Sequence, residues 1–463
     1  MWHRLQAFKL HSWIMMAINT QRWEQPVPIA PLVTFRITFG LLMFFSTLRF
    51  WWRGWVDAVY VSPNFHFTYW GFEWVQPFGK PGMYLVFSII TLAALLIAAG
   101  LFYRVAAVLF FICFTYVELI DVTTYLNHYY FISLVAFIMI WLPANRSYSI
   151  DVFIKPVSKR LYVPAWTIGI IRFQMGIVYF FAGLAKLNTD WLIHAQPMTT
   201  WLPAKSHLPL VGPLLYKEWV AYLFSWFGAL YDLFIVFFLL NKRTRPVAYC
   251  FVLIFHIATA IFFPGIGMFP YVMIVSSLIF FSAPFHQRLL SLLPGYKQED
   301  APSTAYSFTY KKWLYGTMLV YIFFQCIVPF RYLLYPDHLF WSEEGYRFSW
   351  RVMLMEKAGA AYFTVKDKTG KQFYEVNNAE FLTPLQEKMM STQPDMILKY
   401  AHYLAGVYEK RGIAQPRVYG EVYVSLNGAG SRLFIDSSVN LAAEPFSWKH
   451  YHWILPYKTE RLK

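Results

Sequence analysis

Nine stretches of this chain are apolar over a length that restricts what it can become. They fall roughly at 31–52, 84–102, 105–121, 129–143, 166–185, 218–240, 246–263, 269–284 and 313–334. Crossing a bilayer as a helix takes about 20 mostly apolar residues, with a range of about 17–25. Several of the runs reach that length, and the shorter ones can span with tilt or flanking residues. In lipid every backbone polar group must be satisfied internally, which helices do. The expected fold is therefore a polytopic α-helical membrane protein with about nine transmembrane helices. The chain is 58% hydrophobic, 21% aromatic and 14% charged, whereas an ordinary globular protein is about 25% charged. So little polar surface excludes a soluble enzyme, a disordered protein and a fibrous repeat. The aromatic excess suits the two membrane interfaces.

The loops test this reading. With the N-terminus inside, the inner segments hold Arg4, Lys9 and Arg22, then Arg104, then Arg146, Lys155, Lys159 and Arg160. Lys242, Arg243 and Arg245 follow, and then Arg288, Lys297, Lys311 and Lys312. The outer loops hold only Arg53, Lys80, Lys186, Lys205 and Lys217. That asymmetry obeys the positive-inside rule and places residues 335–463 outside. It also accounts for most of the +15 net charge without nucleic acid, which is not expected as a partner. Cys113, Cys250 and Cys326 all sit in apolar runs and read as core residues.

Three units follow. Residues 1–30 form an N-terminal segment, of which Met1 to Met16 reads as an amphipathic surface helix. Residues 31–334 form the multi-helix membrane part, and residues 335–463 an extramembrane, strand-rich α+β domain. In that domain Ala361–Val365 and Gln372–Val376 read as a hairpin around Lys368-Thr369-Gly370-Lys371. Residues 379–411 read as helical, and Arg417–Leu426 and Arg432–Ile435 as strands. No repeat of 20–50 residues is present.

Ionisable groups near apolar segments are costly and therefore informative. Arg36 and Arg172 lie near the inner ends of their helices and read as snorkelling side chains. Lys186 closes the run Val178–Ala185. It reads either as another snorkelling residue or as a partly buried amine, whose desolvation would let it act as a base. His128 lies in a short polar outer loop, Asp121–Tyr130, as a hydrogen-bonded loop residue or a site group. His256 lies within a spanning helix, as a packing residue or a proton-transfer group. Pro264–Met268 reads as a tight outer turn that can line a cavity. In this topology Lys186, His128, the turn at 264–268 and the C-terminal domain all fall on the outer side, which points to one outward-facing site between the helices and that domain. There is no phosphate-binding glycine loop, no GxSxG and no HExxH. His450 and His452 read as a surface strand, and no metal site is expected.

At these residues the chain resembles the vitamin K-dependent gamma-glutamyl carboxylases and their bacterial homologues. The matching stretches are Tyr179–Trp191 (YFFAGLAKLNTDW), Asn127–Tyr130 (NHYY), His256 with Ile266–Tyr271 (IGMFPY), and Gly345–Met353 (GYRFSWRVM). Lys368-Thr369-Gly370, Tyr400-Ala401 and Val424–Asn427 extend the likeness through the C-terminal region. The resemblance implies a lyase that oxidises reduced vitamin K, a phylloquinone or menaquinone hydroquinone, to its epoxide with O2. The strong base so formed removes a glutamate γ-proton, and CO2 adds to give gamma-carboxyglutamate. It places Lys186, His128 and His256 as catalytic residues. Asn127, Tyr179, Met268 and Phe269 fall at the quinone, and Tyr346, Trp350 and Met353 at the glutamate substrate. It implies a glutamate-containing peptide or protein as partner, and no metal. Animal members have adjacent lysines where this chain has Ala185 and Lys186. They also extend further at the C-terminus and carry a disulfide that these cysteines do not reproduce. The short form fits a bacterial homologue in the inner membrane, with a cytoplasmic N-terminus and a periplasmic C-terminal domain. The rival readings are a homologue that oxidises the quinol for other chemistry, and a non-enzymatic membrane transporter, binding protein or anchor.

Overall fold

The computed structural model describes residues 20–297 and 305–457. The expected amphipathic helix at Met1 to Met16 lies outside the described residues. The chain enters through strand β1 (Pro26–Pro28), which pairs antiparallel with β2 (Tyr162–Pro164) and pins the start of the bundle.

Helices occupy all nine expected places. In order they are α1 (Ala30–Trp52), α2 (Gly79–Ala99), α3 (Tyr103–Ile120), α4 (Asn127–Trp141) and α5 (Trp166–Ala185). Then come α6 (Glu218–Leu240), α7 (Arg245–Phe262), α8 (Phe269–Ser277), α9 (Ala283–Ser291) and α10 (Lys311–Ile327). Among the described residues, seven are long and apolar enough to cross a membrane, or eight if the bent α8–α9 pair counts as one span. At 15 residues α4 is too short by itself. The outer helices face lipid: only 17% of the apolar window of α7 is buried. That exposure corrects the reading of Cys250, which lies on the outer face of α7 and not in the core.

Two further expectations change for physical reasons. The run 269–284 is not one helix, because α8 and α9 diverge by 118°. The carbonyls freed at the break need donors. Arg172 supplies them, donating to Ile279 O at 2.9 Å and Phe281 O at 3.3 Å. It therefore caps the break and does not snorkel. Arg36 does not snorkel either: it is 1% exposed, with Nη2 donating to Tyr148 O at 2.6 Å.

Small residues set the helix spacing, as they do when lipid supplies no hydrophobic drive between helices. At Gly40 of α1 a Cβ would lie 2.6 Å from Ala98 N of α2. At Gly183 of α5 it would lie 2.4 Å from Leu233 N of α6.

The C-terminal region is an antiparallel sheet in the order β4-β3-β5-β6, with β3 at Lys357–Lys366, β4 at Phe373–Glu375, β5 at Arg417–Leu426 and β6 at Arg432–Leu433. Strands β3 and β5 pair along their whole length, from Lys357 opposite Leu426 to Lys366 opposite Arg417. Burial alternates along β5, so Val418, Val422 and Val424 share one inward face. That face joins one core with Ile397, Tyr400 and Leu404 of α12 (Pro394–Lys410), which follows α11 (Pro384–Met390). The expected hairpin is present. Asp367 Oδ1 accepts from Gln372 N at 3.0 Å, and Gly370 turns at φ +73°.

Polar contacts seat this region on the membrane half. Gln386 Nε2 donates to Asp121 Oδ2 at 3.0 Å and to Phe65 O at 2.7 Å. Lys399 Nζ reaches Thr68 O at 2.8 Å, and Asn427 Nδ2 reaches Asp190 Oδ2 at 2.8 Å.

Candidate functional site

The last turn of α5 delivers Lys186. The helix ends there because Asn188 caps the next short turn, its Oδ1 accepting from Trp191 N at 3.0 Å. Lys186 is 5% exposed. Its Nζ donates to Asp232 Oδ2 at 2.7 Å and to Ala182 O at 3.3 Å, and lies 5.3 Å from the centroid of the Trp191 ring. Trp191 is fixed in turn by a 2.7 Å bond from Nε1 to Ser225 O. The close approach at Gly183 is what brings Asp232 of α6 within reach.

Asp232 escaped the sequence reading. The signal was present: it is the one acidic residue of 219–240, and an acid inside a spanning segment calls for a named partner. In the structure amine and carboxylate satisfy each other in an otherwise apolar setting. An ammonium has three donors, so one remains for a third group.

The pair opens onto a cavity of about 310 Å³. Its walls come from α5, α6, α7 and α8, and from Val352 and Met353 of the C-terminal region. Aromatic and aliphatic side chains dominate, with Tyr179, Lys186, Asp232 and Thr259 as polar exceptions. Leu223 and Ile254 line it and are also 54% and 59% exposed on the lipid-facing surface of α6 and α7. The cavity therefore meets the bilayer between those two helices.

Of the residues singled out from sequence, Lys186, Tyr179, Phe269 and Met353 line this cavity together. His256 stands one hydrogen bond behind, its Nε2 3.0 Å from Tyr179 Oη, which is also 3.3 Å from Ser277 Oγ. Its Nδ1 has no hydrogen-bond partner among the described residues. His128 is not in the loop where the sequence placed it. Helix α4 starts at Asn127, so His128 sits buried in its first turn, its ring centroid 6.1 Å from that of Phe269. His256 contacts the same ring at 5.6 Å. The remaining four residues stand outside the cavity wall. Asn127 Nδ2 donates to Arg351 O at 2.8 Å. Met268 packs against the membrane core. Trp350 is fully buried and stacks on Tyr130 at 4.9 Å. Tyr346 packs near Phe340.

The segment that brings Met353 to the cavity has an unusual backbone. Glu343, Gly345, Phe348, Trp350 and Met353 all have positive φ. Such conformations cost about 1–3 kcal/mol each at non-glycine residues and persist only where the surroundings hold them. Here the surroundings are named bonds. Phe348 N donates to Tyr125 Oη at 2.8 Å, and Arg347 clamps Asp395 at 2.5 and 3.2 Å. Burial works against the Arg347 guanidinium, but the Asp395 carboxylate outweighs it and raises its proton affinity. Gly345 is required because a Cβ there would lie 2.7 Å from Tyr332 Cα.

The cavity is cut into the helical bundle, and Val352 and Met353 of the C-terminal region close one side of it. Residues 24–285 match the HTTM domain. Residues 310–460 match the vitamin K-dependent gamma-carboxylase lumenal domain. The chain belongs to the vitamin K-dependent gamma-carboxylase family. No solved structure matches it.

Proposed function

We propose that the protein is a vitamin K-dependent gamma-glutamyl carboxylase whose reaction centre is the cavity at Lys186 and Asp232. The observation that carries this reading is the buried amine–carboxylate pair facing an apolar cavity that opens to lipid. The cavity suits a hydroquinone: its volume lies at the small-molecule end of ligand pockets, its walls are aromatic, and an isoprenoid tail can leave between α6 and α7. Tyr179 and Phe269 would flank the ring, held by His256 and His128 behind them. When bound, the hydroquinone supplies, by reaction with O2, the strong base that takes a glutamate γ-proton before CO2 adds and the quinone leaves as epoxide.

The chain's own groups act before and around that chemistry. A proton on Lys186 Nζ can pass to Asp232 Oδ2 across 2.7 Å, which frees the amine to take a proton from the substrate hydroxyl. The resulting ammonium then stabilises the oxyanion beside it. Apolar walls exclude water, which a strong base requires. The peptide approaches from the side of the C-terminal region, where Val352 and Met353 face the cavity. By charge asymmetry that side is outside the cytoplasm, periplasmic in a bacterial inner membrane.

Purified protein is tested with reduced vitamin K, labelled bicarbonate and a glutamate peptide, with Lys186→Ala as control. Epoxide and incorporated label, both present in the native protein and lost in the variant, are expected. Epoxide without label supports a quinol oxidase of different chemistry. Neither product from folded protein overturns both enzymatic readings. A reporter joined after Lys463 is expected outside the cytoplasm, and a cytoplasmic signal would sink the proposed route of the peptide.

A further inference from the structure

Gly228 is the only glycine of α6 and, among the described residues, the only glycine in the wall of the Lys186 cavity. Inside a helix a glycine is a poorer choice than alanine, because it gives up more backbone freedom on folding. A helical glycine in a buried wall therefore calls for a physical reason.

Two common reasons do not apply. Gly228 sits in regular helix without a positive φ, so the backbone does not demand it. Close packing does not demand it either. A Cβ at Gly40 or Gly183 would meet the backbone of a neighbouring helix at 2.6 or 2.4 Å. At Gly228 it would come no nearer than 3.7 Å to Trp191 Cζ2 and 4.0 Å to Lys186 Cε. Those are ordinary van der Waals separations.

What the missing side chain leaves is room inside the cavity, beside the amine. Gly228 lies four residues before Asp232, on the same face of α6. Its neighbours there are held in place, Lys186 Nζ by Asp232 at 2.7 Å and Trp191 Nε1 by Ser225 O at 2.7 Å, so neither swings in to fill the room. The direction also matters. The cavity meets lipid at Leu223 and Ile254, between α6 and α7. Gly228 faces Lys186 and Trp191, on the α5 side. A ring whose tail leaves between α6 and α7, with a hydroxyl at Lys186, turns the edge opposite its tail toward Gly228.

We propose that Gly228 is a specificity-determining residue: it admits a fused second ring beside Lys186, so that the cavity selects a naphthohydroquinone over a single-ring hydroquinone. The inference rests on the reading of this cavity as a hydroquinone site. A side chain at 228 would occupy the place of the fused ring and leave the first ring and the tail their space.

The test measures binding and needs no turnover. Full-length protein in detergent is dialysed under nitrogen against menadiol or 2-methylhydroquinone, which differ only by the fused ring. The native protein is expected to hold menadiol the more tightly. Gly228→Ala is expected to weaken menadiol about tenfold and to leave 2-methylhydroquinone unchanged. Its melting midpoint is expected to stay level or rise, since alanine is the better helix former. Stability kept while one ligand is lost marks a glycine retained for function. Unchanged menadiol affinity in the variant overturns the proposal. So does an equal loss of both ligands, or a lower melting midpoint, which would make Gly228 a packing residue. A native protein that binds neither compound overturns instead the hydroquinone reading of the cavity, and shows this without any variant.

Discussion

The Lys186 cavity and the junction with the C-terminal region solve the same problem in opposite ways. Both hold charged groups away from water. In the cavity one amine meets one carboxylate, with Ala182 O as the only other acceptor it reaches among the described residues. At the junction the load is spread over Gln386, Lys399 and Asn427, across several elements. A lone pair in a low-dielectric setting cannot lose a partner cheaply. A distributed polar interface can lose one bond and keep its seat. The proposed site of chemistry is thus the less redundant of the two, which suits a group proposed to change its protonation.

Asp232→Asn tests this most severely. It leaves the Lys186 ammonium buried without its counter-charge, at a cost of about 3–5 kcal/mol. Carboxylation and epoxidation are both expected to fall by about a hundredfold or more, read as label incorporation and epoxide yield. Activity near the native level would break the contrast. Gly183→Val is next. Its side chain meets the α6 backbone, so about 2 kcal/mol of overpacking is expected, with a lower melting midpoint and a weakened Lys186–Asp232 contact. If activity falls more than stability explains, spacing of the pair is confirmed as the sensitive quantity.

Gln386→Ala moves to the junction. It removes a donor from the buried Asp121 carboxylate and is expected to cost about 1.5–3 kcal/mol, while the folded fraction keeps its epoxide yield. Loss of epoxide in protein that remains folded would show that the junction controls the cavity directly. The smallest effect concerns pH. The Thr369 hydroxyl and neighbouring amides hold the Asp367 carboxyl below its ordinary range, and Ser438 does the same for Asp436. A depressed carboxyl stabilises the fold above its unfolded pKa of about 3.9 and loses that contribution as pH falls through the folded value. The C-terminal region is expected to melt slightly earlier below about pH 4, and Thr369→Ala to flatten that dependence.

The membrane half was legible because period and length leave a 20-residue apolar run few choices, as in α1 and α6. The strands of the C-terminal region were legible from alternation, as in Val418–Val422–Val424. The break between α8 and α9 was not, because its stability comes from Arg172, a hundred residues earlier in sequence. Arg36 was misread for the same reason: its guanidinium donates to Tyr148 O, more than a hundred residues later, which no local pattern connects to it. At the site, Lys186 stood out as a charge after an apolar run, and Tyr179, Phe269 and Met353 joined it through the family resemblance. Asp232 showed a lone charge but no partner, since its pairing rests on a contact at Gly183 between helices more than forty residues apart. The start of α4 was displaced by a few residues, enough to move His128 from a loop into the bundle.

Val352 and Met353 give the cavity a wall drawn from a part of the chain far downstream of the helices it closes. During synthesis the helices that carry Lys186 and Asp232 are made before Val352 and Met353, the residues that close one side of the cavity. The cavity is complete only when the C-terminal region has been made and seated. A chain stalled or cleaved before that point would carry Lys186 and Asp232 without that wall.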